Sequence, residues 1–226
     1  MVQKVEAELD ALKKETIEMW TLVYNQVQRA GDAVLTLDKD QARQIIMRER
    51  RVNAFELKID SDVEDMIALY NPVAVQLRFV LATLKINTNL ERIGDFAEGL
   101  ARFVLDFTGP ALDPELVRKL RLAEMIDQVK CMLQTLFDAF EKESADVATK
   151  VFEMDQKVDD INHASITILT EYIMESPENN ASDALQMGGI FRKLERIGDH
   201  ATNMAEEIVF YLDAKVLKHQ GKTNDI

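Results

Sequence analysis

Cysteine is nearly absent from this chain of 226 residues. Cys131 stands alone, so no internal disulfide can form, and no Cys/His group has the spacing of a structural zinc site. A reducing, cytoplasmic setting is expected. Glycine and proline are scarce, with 8 and 4 residues, and aromatics make up 7%, a balance that favours helix over sheet. No apolar run approaches the roughly 18 residues of a membrane span, and the N-terminus, acidic from Glu6 onward, lacks the basic-then-apolar pattern of an export signal. The chain is expected not to be membrane-embedded. Basic residues are outnumbered as well: 40 acids against 27 Lys and Arg give a formal charge of −13. That balance disfavours direct contact with nucleic-acid phosphates or anionic lipid and favours cations and basic protein patches. No Gly-rich phosphate loop and no Ser, Cys or His triad can be assembled, so catalysis is not expected.

What the sequence does contain is a repeat. Leu90-Glu91-Arg92-Ile93-Gly94-Asp95 returns letter for letter, 104 positions later, as Leu194-Glu195-Arg196-Ile197-Gly198-Asp199. The match continues at Ala97 with Ala201 and at Ala101 with Ala205. Such self-similarity at nearly half the chain length marks a doubled structural unit. The strongest punctuation, Thr108-Gly109-Pro110-Ala111-Leu112-Asp113-Pro114, sets the boundary, with Asp113 able to cap the next helix and Pro114 tolerated at its first position. The expected organisation is a first three-helix repeat at 1–108, a second at 113–214 and a tail at 215–226. Helices are expected at roughly 3–36, 40–70, 73–107, 114–142, 144–175 and 182–213, interrupted at Asp38-Lys39-Asp40, Asn71-Pro72, Ser176-Pro177 and Ser182-Asp183. The fold class is all-α: six long helices in two pseudo-symmetric antiparallel three-helix bundles.

At 100° per residue, the third helix places Leu90, Ile93, Ala97, Leu100, Ala101 and Val104 on a core stripe, with Glu91, Asp95, Glu98 and Arg102 on another. The sixth helix repeats this arrangement with Glu195, Asp199, Thr202 and Glu206 away from the core. Two acids four residues apart lie one helical turn from each other and can converge on one cation. They supply only two of the roughly six oxygen ligands that magnesium, manganese or iron takes. A second helix must supply the rest. Glu49, Asn53 and Glu56 have the i, i+4, i+7 spacing to do so in the first half, and Asp155, Asp159 and Asn162 are their counterparts in the second. Asp60 continues the first stripe where the second has Ile166. The plain alternative for such acids is a solvated face supported by Arg92 and Arg196.

Gly94 and Gly198 sit inside strongly helical segments, where each costs about 1 kcal/mol relative to Ala. They mark either a close helix crossing or a ligand shell that a Cβ would crowd. His163 and His200 lie near the second group of acids in sequence, but Leu57 and Phe96 hold those places in the first half, so histidine is not part of the repeated unit. Trp20, Tyr24 and the 10 Met residues occur at helical spacing among apolar neighbours and read as core.

The paired Leu-Glu-Arg-Ile-Gly-Asp motifs, the Ala residues after them and the upstream acid and amide helices together resemble the PhoU family of phosphate-transport accessory proteins, over nearly the whole chain. The most specific stretch is Leu194 to Glu206; the first copy departs from it after Asp95. The resemblance implies two side-by-side three-helix bundles carrying surface metal clusters, with iron, zinc, manganese or magnesium as the candidate ions. It also implies a cytoplasmic negative regulator of phosphate uptake and of the phosphate-starvation response. Its partners would be the ATPase subunit of a phosphate ABC transporter and a phosphate-sensing histidine kinase. A homodimer is the expected assembly. Two other readings compete: a ferritin-like di-metal oxidase, which wants Glu-x-x-His pairs that Asp160-x-x-His163 only approximates, and a metal-free helical scaffold.

Overall fold

The computed structural model describes residues 2–109 and 111–217. Pro110, at the boundary, and most of the expected tail, residues 218–226, lie outside them. The described residues contain seven helices and no strand: α1 (Val2–Thr36), α2 (Lys39–Tyr70), α3 (Val75–Asp106), α4 (Pro114–Lys119), α5 (Leu122–Glu141), α6 (Ala145–Glu175) and α7 (Pro177–Asp213).

The helix ends follow from local chemistry. Asp38 caps α2, its Oδ1 accepting from the Asp40 and Gln41 amides at 3.0 and 2.9 Å. Asn71 then ends α2 in the left-handed region at φ 47°, a conformation its short polar side chain tolerates. Asp113 caps α4 through the amides of Glu115 and Leu116, with Pro114 at the first turn.

Two boundaries differ from the sequence expectation. The helix expected at 114–142 is broken: Arg121 takes φ 58°, separating α4 from α5, and its guanidinium donates to both carboxylate oxygens of Glu124 at 2.7 and 2.8 Å. Buried Leu120 and Leu122 flank the break, and a spacing of two cannot put both on one helical stripe. The last helix begins at Pro177 rather than at 182. Proline is tolerated at a first turn, so Ser182-Asp183 lie inside the helix.

One layer runs in the order α2, α3, α7, α6, with α1 and α5 packed behind it. Helices α3 and α7 are antiparallel. Arg78 Nε donates to Tyr211 O at 3.4 Å, Lys85 Nζ to both carboxylate oxygens of Glu207 at 3.0 Å, and His200 Nδ1 to Asn89 Oδ1 at 2.7 Å, so residue numbers fall along one helix as they rise along the other. A pseudo-twofold axis passes where Phe96 meets its repeat counterpart His200, ring centroids 5.7 Å apart. The two halves share a single core. Trp20 from α1 packs on Phe137 and Phe140 of α5, and Phe140 on Phe79 of α3 and Tyr211 of α7. This aromatic junction adds to the α3–α7 packing that joins the repeats.

Candidate metal centres

The two acid motifs face the neighbouring outer helices, α3 toward α2 and α7 toward α6. What sets the approach is the glycine inside each hexapeptide. A Cβ on Gly94 would stand 3.2 Å from Glu49 Oε1 and from Val52 Cγ1; on Gly198 it would stand 2.7 Å from Asp155 Oδ1 and 3.5 Å from Val158 Cγ1. Each glycine is therefore both a close helix crossing and the seat of a carboxylate. Glu49 and Asp155, paired from the sequence, occupy equivalent places.

In the first half Glu49 is only 5% exposed. Its Oε2 accepts from Gln26 Nε2 of α1 at 2.9 Å, while its Oε1 is buried without a hydrogen-bond partner. Burial first, then the charges of Asp95, Glu98 and Glu91, push the Glu49 carboxyl up to about 7. Glu91 is raised by burial and by Asp95 and Glu56, and Glu56 by burial and Asp60. Arg92 is the opposing cation, with Nη1 donating to Asp95 Oδ2 at 3.3 Å and Nε 3.6 Å from Glu91 Oε2. A guanidinium already shared with solvent offsets little of this repulsion. Glu91, Asp95 and Glu56 are half-buried, whereas Asn53 is exposed.

The second half repeats the pattern. Burial, then Asp159, Asp199 and Glu195, push the Asp155 carboxyl up to about 7. Glu195 is raised by burial and by Asp199 and Asp159. Arg196 Nη1 donates to Asp199 Oδ2 at 3.0 Å, as Arg92 does to Asp95. Asp155, Asp159, Asn162, Glu195 and Asp199 are all half-buried.

Neither histidine joins this group. His200 is turned into the α3–α7 seam by its bond to Asn89 and its contact with Phe96. Exposed His163 donates from Nδ1 to the Asp159 carbonyl at 2.8 Å.

Two residues that the sequence reading passed over belong to the first site. Gln26 carries the amide that holds Glu49. Buried Asn87 donates from Nδ2 to Glu56 O at 3.0 Å and Asp60 Oδ1 at 2.8 Å, tying α3 to the C-terminal side of the acid stripe. Both are polar residues in the core phase of their helices, Gln26 beside Val23, Val27 and Ala30, and Asn87 beside Thr83, Ile86 and Leu90. A polar residue in a core register was the available signal.

The donor set is all oxygen, it is crowded with like charge, and Glu49 Oε1 is buried with no hydrogen-bond donor. That chemistry fits a hard cation. Among the described residues no three His, Cys, Asp or Glu side chains converge on one point, so binding requires the side chains of Glu91 and Asp95, or Glu195 and Asp199, to turn toward Glu49 or Asp155.

Also among the described residues, no helix is long and apolar enough to cross a membrane. A family model described as the PhoU domain matches residues 16–104 and 122–208, so each match contains one Glu-x-x-x-Asp motif and its facing helix. The phosphate-specific transport system accessory protein PhoU of Escherichia coli is 32% identical over 95% of this chain and 88% of its own length. The PhoU homolog of Pseudomonas putida is 31% identical over 97% and 84%. The crystal structure of PhoU from Pseudomonas aeruginosa superposes with a TM-score of 0.88 at 31% identity, covering 93% of this chain and 99% of that one. The phosphate transport system regulatory protein PhoU from Streptococcus pneumoniae gives 0.80 at 25% identity over 94% and 99%. With both repeats matched and the glycine-seated acids duplicated within them, the chain belongs to the PhoU family.

Proposed function

We propose that this protein is a cytoplasmic, non-catalytic accessory regulator of phosphate transport, whose two carboxylate clusters hold metal ions and whose surface bridges protein partners. The observation that carries the reading is the duplicated arrangement of a buried acid seated on a helix glycine, Glu49 on Gly94 and Asp155 on Gly198, each opposite a Glu-x-x-x-Asp pair. Glu49, Glu56, Glu91 and Asp95 would hold the first ion, and Asp155, Asp159, Glu195 and Asp199 the second, with Asn162 beside them; Asn53 could join only from its exposed position at the rim. A bound cation supplies charge neutralisation. The chain's own residues do the rest: each cluster ties an outer helix to an inner one, so its occupancy bears on how rigidly α2 and α6 are presented.

The names of the relatives, accessory and regulatory proteins of phosphate transport, support assigning the same process here. Within it, the protein acts as a negative regulator of uptake and of the phosphate-starvation response. It does so as an adaptor, as a homodimer, between the transporter's ATPase subunit and the sensor histidine kinase. A pull-down of the purified chain with each of these two proteins, metal-loaded and chelated, tests this; binding to neither in any metal state contradicts it. The oxidase alternative is disfavoured because Asp160 and His163 lie on the exposed side of α6 instead of inside a bundle. Oxygen consumption by the iron-loaded protein would revive it. Elemental analysis separates the metal-free scaffold from both.

A further inference from the structure

Basic residues gather in the first part of one helix. Between residues 39 and 58, α2 carries Lys39, Arg43, Arg48, Arg50, Arg51 and Lys58, all exposed, against Asp40, buried Glu49 and half-buried Glu56, in a protein of formal charge −13. Arg43, Met47, Arg50, Ala54 and Leu57 follow i, i+4, i+7, i+11, i+14, which puts them on one face, and every one of them is exposed. Met47 is 67% and Leu57 70% exposed. Arg43 is satisfied by Asp40 at 2.5 Å. Among the described residues Arg50 and Arg51 have no ion pair, and Arg51 has only the Phe55 ring, 5.8 Å from its guanidinium. This face looks away from the layer, since α2 is its edge helix.

The pseudo-symmetric helix shows that the fold does not require it. On α6 the matching positions are Thr149 for Arg43, Glu153 for Met47, Gln156 for Arg50, Asp160 for Ala54 and His163 for Leu57, all exposed. An edge helix in this architecture is stable with a polar, acid-bearing outer face, so helix propensity and solubility do not account for two bare arginines framed by bare Met and Leu. Apolar anchors among arginines are the composition of a protein-binding surface.

Building on the adaptor reading, we infer that the outer face of α2 is a docking surface for an acidic protein partner, one that pairs carboxylates with Arg50 and Arg51 and offers an apolar pocket to Met47 and Leu57. Charge complementarity selects this occupant. The chain as a whole, at −13, favours basic partners, so the selection is local: a folded partner can confine its carboxylates to Arg50 and Arg51, whereas an extended anionic membrane or nucleic acid would reach past this patch into the field of the acidic remainder, and a twofold copy docking through the same face would set arginine against arginine. Because Glu49 projects inward from the same stretch that carries Arg50 and Arg51 outward, the docking face and the first carboxylate cluster share one rigid element.

The test uses the full chain, immobilised, and the two partner proteins of the pull-down, at low and high salt. Arg50→Glu/Arg51→Glu should weaken binding to at least one partner on the order of tenfold, with a reduced salt dependence. Met47→Ala/Leu57→Ala should weaken it without changing the salt dependence. The control on α6, Glu153→Arg/Asp160→Arg, should change it by no more than about twofold, as rim charges do. Circular dichroism checks that each variant keeps its helix content. If the wild type binds a partner and both α2 variants bind equally well, the docking face is wrong while the adaptor reading stands. If the wild type binds neither partner, both fall. Flotation with phosphatidylglycerol vesicles, or self-association in sedimentation, that is lost in the α2 variants would assign the face to lipid or to a second copy and overturn the proposal.

Discussion

The two carboxylate clusters share a plan and differ in how they hold their deepest acid. In the first, Gln26 donates to Glu49, and Asn87 extends a polar network to Glu56 and Asp60. In the second, Met132 stands in the repeat position of Gln26, its terminal methyl beside Gly198, and cannot donate, and Phe191 and Ile166 stand in the repeat positions of Asn87 and Asp60. The first site is hydrogen-bonded into α1 and along α3; the second carries apolar side chains at those three repeat positions. Duplication fixed the glycine seat and the acid pair, and the supporting shell then diverged. The seam residues diverged in the same way, with Phe96 in one half and His200 in the other.

The largest expected effect breaks the comparison outright. Glu195→Ala/Asp199→Ala and Glu91→Ala/Asp95→Ala should each remove about one site's share of the metal found by elemental analysis of chelator-free protein, leaving the other share in place, because each cluster draws its donors from its own pair of helices. Loss of all metal from either variant would show one joint site instead of two.

Next comes pH. Glu49 and Asp155 are held near 7 in the fold against ordinary values of 4.5 and 3.8. Between those values the folded state keeps protons that the unfolded state has lost. Stability of the chelated protein therefore falls as pH rises from about 4 to about 7 and levels off above, by linkage. At about 1.4 kcal/mol per unit, reduced for partial exposure and relaxation, the two sites together should cost about 2–3 kcal/mol. Thermal melts should show this slope flattened in Glu49→Gln/Asp155→Asn, and manganese or magnesium should restore stability more at pH 8 than at pH 5.5. An unchanged slope in that variant would remove these two groups as its source.

A smaller effect separates the supporting shells. Gln26→Met should destabilise the chelated protein at pH 8 by about 1.5 kcal/mol, the usual cost of a lost hydrogen bond to a charged group; Met132→Leu, which removes no donor, should cost under about 1 kcal/mol. Equal losses in denaturant melts would mean that Gln26 acts by packing alone. The smallest effect concerns the seats. Gly94→Ala gains about 1 kcal/mol of helix propensity against a contact at 3.2 Å, and should be near neutral. Gly198→Ala meets Asp155 Oδ1 at 2.7 Å and should be the worse of the two in both stability and metal content.

Much of this was legible in the residues, for identifiable reasons. The hexapeptide identity at a spacing of 104 announces the duplication, and the i, i+4 acids with a glycine between them announce the acid face and the close helix approach. The pairing of Glu49 with Asp155 could be read because α2 and α6 repeat the same spacing of acids and amides. What stayed hidden depended on tertiary contact. Gln26 reaches Glu49 from α1, a helix that carries no part of the motif. The break at Arg121 has no Gly or Pro to mark it, only the slip of the apolar phase from Leu120 to Leu122. The wheel placed Glu49 on an acid stripe, but only packing against Gly94 buries it. Asn53 has the right spacing on α2 and still lies exposed, because spacing fixes a face and not how far the neighbouring helix covers it.

The most direct measurement is an anomalous difference map from a crystal of this protein grown or soaked with manganese. The two-site assignment requires two peaks, one between α2 and α3 next to Glu49 and Gly94 and one between α6 and α7 next to Asp155 and Gly198, with Glu91 and Asp95, or Glu195 and Asp199, turned toward them. Peaks confined to other surfaces, or none in manganese excess, would contradict it.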